Sequence, residues 1–92
     1  MSKSILQPEN EKKCYISGSQ HDLDCHHCFA GTANRKIADK YGLWVWLRHD
    51  IHADLHDRNK ELDYQLKRDA QKAFEKIYGH DKFMELFRKN YL

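Results

Sequence analysis

Apolar residues change their period along this chain, and the changes divide it into elements. Residues 1–13 are polar, hold the sole proline (Pro8), and read as a flexible N-terminal tail. CYISGSQ at 14–20 reads as a strand end and a turn built on Gly18 and Ser19. In HDLDCHHCF (21–29), Leu23, Cys25, His27 and Phe29 share one parity, as in a short half-buried strand. AGT at 30–32 breaks that pattern. Residues 33–41 suit two helical turns, with Ile37 and Tyr41 four apart and Gly42 as the C-terminal cap. LWVWLR at 43–48 is the clearest strand, with Leu43, Val45 and Leu47 on one face and Trp44 and Trp46 on the other. Beyond it, Leu62, Leu66, Ala70, Ala73 and Ile77 form an apolar stripe at helical spacing, flanked by the i,i+4 pair Asp63 and Lys67. Gly79 ends this helix. Asp81 then caps a last short one that turns Phe83, Leu86 and Phe87 inward.

The pattern predicts strand, strand, then helices: an α+β chain with a flexible tail over 1–13, a single domain over 14–92 and a helical extension from about residue 57. At 92 residues the core is modest, and a bound metal or partner would add to its stability. No apolar stretch nears the roughly 18 residues that cross a bilayer. The first residues lack the apolar centre of a signal peptide, so a cytoplasmic protein with no membrane partner is expected.

The formal net charge of +2 is too small to argue for nucleic acid by itself. Lys/Arg and Asp/Glu balance at seven each through residue 56 and stand at nine to seven thereafter, so the thin excess is C-terminal. The Lys67, Arg68, Lys72 and Lys76 side of the long helix reads as its solvent face. Trp44 and Trp46 read as core or as an oligomer contact, with base stacking the alternative.

The histidines change the picture more. Of seven, His21, His26, His27, His49, His52 and His56 fall between positions 21 and 56. His52 and His56 are four apart, so on a helix both imidazoles share a face and can chelate one ion. Either the His26–His27 doublet or the HxxxH pair can arise by chance. Their order is more specific: a doublet on one strand, a second strand, then HxxxH opening a helix. That is the layout of a ββα-metal site, in which three neutral imidazoles hold a divalent ion and a fourth, unligated, takes a proton from water. Adjacent strand residues face opposite ways, so His26 and His27 can serve one site only if the strand twists or ends there. An odd set of three cysteines in a chain without a secretion signal argues against a disulfide framework. Cys14, Cys25 and Cys28 are read as buried thiols, with a second zinc, completed by His21, as the alternative.

CHHCFAGTANRKIADKYGLWVWLRHDIH (25–52), LHDRNKELDYQLKRDAQKAFEKIYG (55–79) and FMELFRKNYL (83–92) together resemble a family of small phage and prophage HNH proteins. That family looks related to the RecA-dependent recombination-enhancement nuclease of temperate phages. The resemblance runs from about Cys14 to Leu92 and is most specific at HHCFAG, KYGL and NKELD. It implies an HNH-like ββα-metal core and metal-dependent endonuclease activity on DNA in a bacterial host. One divalent ion (Mg²⁺, Mn²⁺, Ni²⁺, Co²⁺ or Zn²⁺) would be the cofactor. Carried over by position, His26, His52 and His56 are metal ligands and His27 is the general base; the i,i+4 pair also resembles that of the colicin DNases. Asn59 and Asn34 are candidates for the asparagine that pins the motif's loop, and Arg35 for phosphate contact or support of the site. The sequence departs from relatives with a structural zinc: Ser17 stands where the second cysteine of a CxxC pair would be, and Arg48 where a later one would be. The competing reading is a non-catalytic module on the same scaffold that binds DNA or a phage or host protein.

Overall fold

The computed structural model describes residues 2–7 and 12–92, and it is a small α+β protein. The described residues form a two-stranded antiparallel sheet and four helices: β1 Leu23–His27, α1 Thr32–Tyr41, β2 Trp44–Arg48, α2 His49–Asp57, α3 Lys60–Tyr78 and α4 His80–Phe87. The register pairs Leu23 with Arg48 and His27 with Trp44, which sets His26 opposite Val45. Backbone bonds close both ends of the ladder, Cys28 N–H to the Leu43 carbonyl (3.1 Å) and His49 N–H to the Asp22 carbonyl (2.7 Å). No helix among the described residues is long and apolar enough to cross a membrane.

Alternation on β2 works as the residue types dictate. Leu43, Val45 and Leu47 are all fully buried, and Phe29, Leu55, Leu66, Ala70, Phe74 and Phe83 complete the core around them. On β1 the expected parity fails: His26 is the buried residue of the strand, while Leu23, Cys25 and His27 are half-buried. The apolar stripe of α3 also differs from expectation. It continues from Leu66 and Ala70 to the buried Phe74, whereas Ile77 is 58% exposed. Steps of four lead to Phe74, which meets Phe83 and Phe87 of α4. Ile77 lies on the flank that α4 does not cover. Asp81 does not cap α4; Gly79 holds the N-cap position, at a positive φ of 90° that favours glycine. Asp63 and Lys67 pair as expected, at 2.8 Å.

Residues 2–7, from the expected tail over 1–13, lie against the rest of the chain, while residues 1 and 8–11 are outside the described residues. Ser2 N–H donates to the Asp39 carbonyl and Ile5 N–H to the Gly42 carbonyl, each at 2.9 Å. The Ser4 hydroxyl is buried on the Trp44 carbonyl, and the Trp44 indole donates to the Ser2 carbonyl at 2.8 Å. The docking combines backbone groups, the Ser4 hydroxyl and the adjacent Ile5 and Leu6 packed against the core, which makes no hydrophobic period to read. Gly42 makes the docking space: its φ is 73°, and a Cβ there would run into the Lys3 carbonyl. Gly42→Ala is expected to destabilise the protein by about 2 kcal/mol, combining left-handed strain with displacement of residues 2–7. Urea unfolding measures it. A loss below about 0.5 kcal/mol, the range of ordinary surface substitutions, would contradict the docking.

Candidate metal centre

β1 ends at His27 and turns through Gly31 into α1, while β2 runs directly into α2. The first connection brings the doublet to the sheet's end. The second sets His52 and His56, one turn apart on α2, against the buried face of β1. His26 meets both, with ring centroids 5.1 Å from His52 and 5.7 Å from His56. One ligand atom from each of the three lies within 4.8 Å of the others, and theirs is the one group of three or more such side chains found among the described residues.

The electrostatics of this group are unusual for a protein interior. His26 is 4% exposed, and its Nε2 is buried without a hydrogen-bond partner. Burial, together with the neighbouring His52 and His56, pushes its pKa down to about 4, so it is a neutral donor of a lone pair at physiological pH. His52 and His56 face each other through their Nε2 atoms at 3.1 Å. Two bare lone pairs repel at that distance, so a proton or a cation has to lie between them. Asp24 Oδ2 sits 3.0 Å from His52 Nδ1 and 2.8 Å from His49 Nδ1, and these hydrogen bonds lower the Asp24 pKa. The carboxylate can only accept, so His52 Nδ1 carries the proton and its Nε2 lone pair turns towards His26 and His56. An orphaned buried nitrogen, a close imidazole pair and a carboxylate behind one ring fit a divalent ion. A Zn–N bond of about 2.1 Å implies N···N separations near 3.4 Å in a tetrahedral shell, close to that of the His52–His56 pair.

His27 takes the other face of β1. Its Nε2 is 2.6 Å from Asp39 Oδ1 on α1. Asp39 accepts, so Nε2 holds the proton and Nδ1 has the free lone pair. Both doublet residues nevertheless border one open cleft of about 550 Å³, because the strand ends at His27. His52, His56, Arg35, Lys60, Lys67 and Asp63 also line it, so cations outnumber the carboxylate, which Lys67 holds, and the rim is net cationic.

The remaining sequence candidates lie elsewhere or act structurally. Asn59 caps α3, its side chain accepting from Leu62 N–H at 3.0 Å. Asn34 donates to the Ala30 carbonyl at 2.9 Å and steadies the turn before α1. Both side chains bond to backbone groups rather than to a histidine. The cysteines build no second ligand group among the described residues: Cys14 Sγ accepts from the Ser17 and Arg48 amides, and burial pushes the Cys28 thiol up, away from thiolate. His21 and His49 are exposed. From the sequence Asp24 reads as a surface carboxylate, with an oxygen ligand as the alternative; it stands instead behind His52. Asp39, behind His27, is the residue that sequence reasoning missed, and no signal pointed to it. Compared with protein-family models, curated proteins and solved structures, the chain matches none.

Proposed function

We propose that this protein is a metal-dependent DNA endonuclease built on an HNH-like ββα-metal core, with β1, β2 and α2 as that core. The reading rests on one observation above the others: the buried, unpartnered His26 Nε2 converges with His52 and His56 beside a second, carboxylate-oriented histidine in a cation-rimmed cleft. His26, His52 and His56 would hold a single divalent ion. Such an ion, when bound, supplies Lewis-acid stabilisation of charge on the phosphorane and on the leaving 3′ oxygen. His27 Nδ1 takes the proton from the attacking water, and Asp39 holds the ring in the tautomer that allows this. Arg35 and Lys60 line the cleft and would meet the phosphate oxygens there.

The test is cleavage of supercoiled plasmid by the purified protein with Mg²⁺, Mn²⁺, Ni²⁺, Co²⁺ or Zn²⁺. Nicked or linear product that disappears with chelator is expected. DNA left intact with every ion would instead favour a non-catalytic binding module on this scaffold. Asp24→Asn should weaken divalent-ion binding by about 10- to 100-fold, the usual loss when the partner behind a ligand imidazole is removed. Calorimetric titration reads this directly, and unchanged affinity would take Asp24 out of the site.

A further inference from the structure

Helix α3 carries more than its pair with the cleft. Lys60, Tyr64, Lys67 and Arg68, spaced four, three and one, lie on one side of it. Lys60 and Lys67 line the cleft. Tyr64 lies beside them and is 42% exposed. Tyr91, from the segment after α4, comes back to this side, its ring centroid 5.8 Å from that of Tyr64 and 5.4 Å from that of Phe29, a residue of the cleft wall. The tyrosine pair is surrounded by cations: the Arg68 guanidinium is 5.1 Å from the Tyr64 ring, and Lys89 and Lys67 Nζ lie 5.1 and 5.9 Å from the Tyr91 ring. Asp63 is the carboxylate in this group, and Lys67 holds it at 2.8 Å. Arg68 donates from Nη2 to Gln65 Oε1 at 2.9 Å, a neutral partner that leaves its charge uncompensated.

The arrangement is held in place. The fully buried Gln71 accepts from Tyr91 N–H at 2.8 Å and donates to Asn90 Oδ1 at 2.7 Å, which fixes the returning segment on α3. The tryptophans offer no such surface beside the cleft, because Trp44 is buried and neither tryptophan lines it.

An exposed tyrosine beside a half-buried one, among cations, matches an unpaired nucleic-acid strand better than a duplex. Tyrosine gains by stacking on a free base face, and in a duplex those faces are already stacked on one another. The cations meet the phosphates between the bases. We propose that Tyr64 and Tyr91, with Lys60, Lys67, Arg68 and Lys89, form a platform that binds single-stranded DNA beside the histidine cleft. In naming DNA the inference rests on the nuclease reading, and it deepens that reading by assigning a substrate with an unpaired segment.

The test uses the full chain in chelator, so that metal plays no part. Fluorescence anisotropy follows a labelled oligothymidylate, an oligouridylate and a hairpin duplex of equal length. The oligothymidylate is expected to bind most tightly. Tyr64→Ala should weaken it by about tenfold, and Tyr64→Trp should restore it, since stacking on one aromatic contributes about that factor. The melting temperatures of both variants are read alongside, and Tyr64→Trp, which keeps a ring against Tyr91, separates lost stacking from lost packing. Equal binding by Tyr64→Ala and the parent, tighter binding of the hairpin or of oligouridylate, or no binding of any oligonucleotide would each overturn the proposal. The two readings fail separately. Tyr64-dependent strand binding by a protein that cleaves no plasmid would support the platform and remove the nuclease; cleavage with strand binding indifferent to Tyr64 would remove only the platform.

Discussion

His27→Ala is expected to lower DNA cleavage by about 10²- to 10⁴-fold while leaving divalent-ion affinity unchanged. The expectation comes from the two faces of β1. His26 meets the imidazoles of α2, whereas His27 is held by Asp39 of α1 at 2.6 Å. A residue bonded on that side adds nothing to the three-imidazole group, yet it borders the same cleft. Its removal therefore takes away the proton acceptor and leaves the ligands. Calorimetry with Mn²⁺ or Ni²⁺, paired with plasmid cleavage by the same protein, separates the roles. A large loss of ion affinity in His27→Ala, with His26→Ala unaffected, would mean the doublet works in the opposite sense.

The second large effect concerns acid stability of the metal-free protein. His26 titrates at about 4 in the folded chain and near about 6.5 when exposed. Above pH 6.5 it is neutral in both states and imposes no penalty. As the pH falls through that value, the unfolded chain binds a proton that the folded chain refuses until about pH 4. Stability is therefore present above about 6.5 and is lost progressively down to about 4, by up to about 3 kcal/mol. Urea unfolding in chelator across this window should show the fall. Carboxylates add their own loss at lower pH, so the comparison is with His26→Gln, whose profile should be flatter between pH 6.5 and 4. Parallel profiles for the two proteins would contradict the burial of a neutral His26.

Several features were legible in the chain because local chemistry leaves one solution. Leu43, Val45 and Leu47 share one parity, and that face of the strand enters the core. Gly42 ends α1 at positive φ, and Asp63 meets Lys67 one turn away. The i,i+4 spacing of His52 and His56 requires only that their segment be helical.

Other features depended on partners distant in sequence. Both Phe74 and Ile77 continue the α3 stripe by period; α4 chooses Phe74 by packing on it. Parity on β1 favoured Leu23, Cys25 and His27, but α2 lies over the opposite face and buries His26. Asp24 and Asp39 reach their histidines across 28 and 12 positions, where no periodicity links them. NKELD was conspicuous as a motif. Its asparagine serves as the N-cap of α3, a role that the sequence also permits and that needs no metal.

The most direct test of a single three-histidine ion site that enables DNA cleavage is a stoichiometric titration. Metal-free protein is loaded stepwise with Mn²⁺ or Ni²⁺, and plasmid cleavage is measured at each step beside bound metal. Cleavage should rise in proportion to occupancy, level off at a single ion per chain, and be absent from His52→Ala. A fully loaded site with intact DNA, or cleavage that proceeds equally well in chelator, would contradict it.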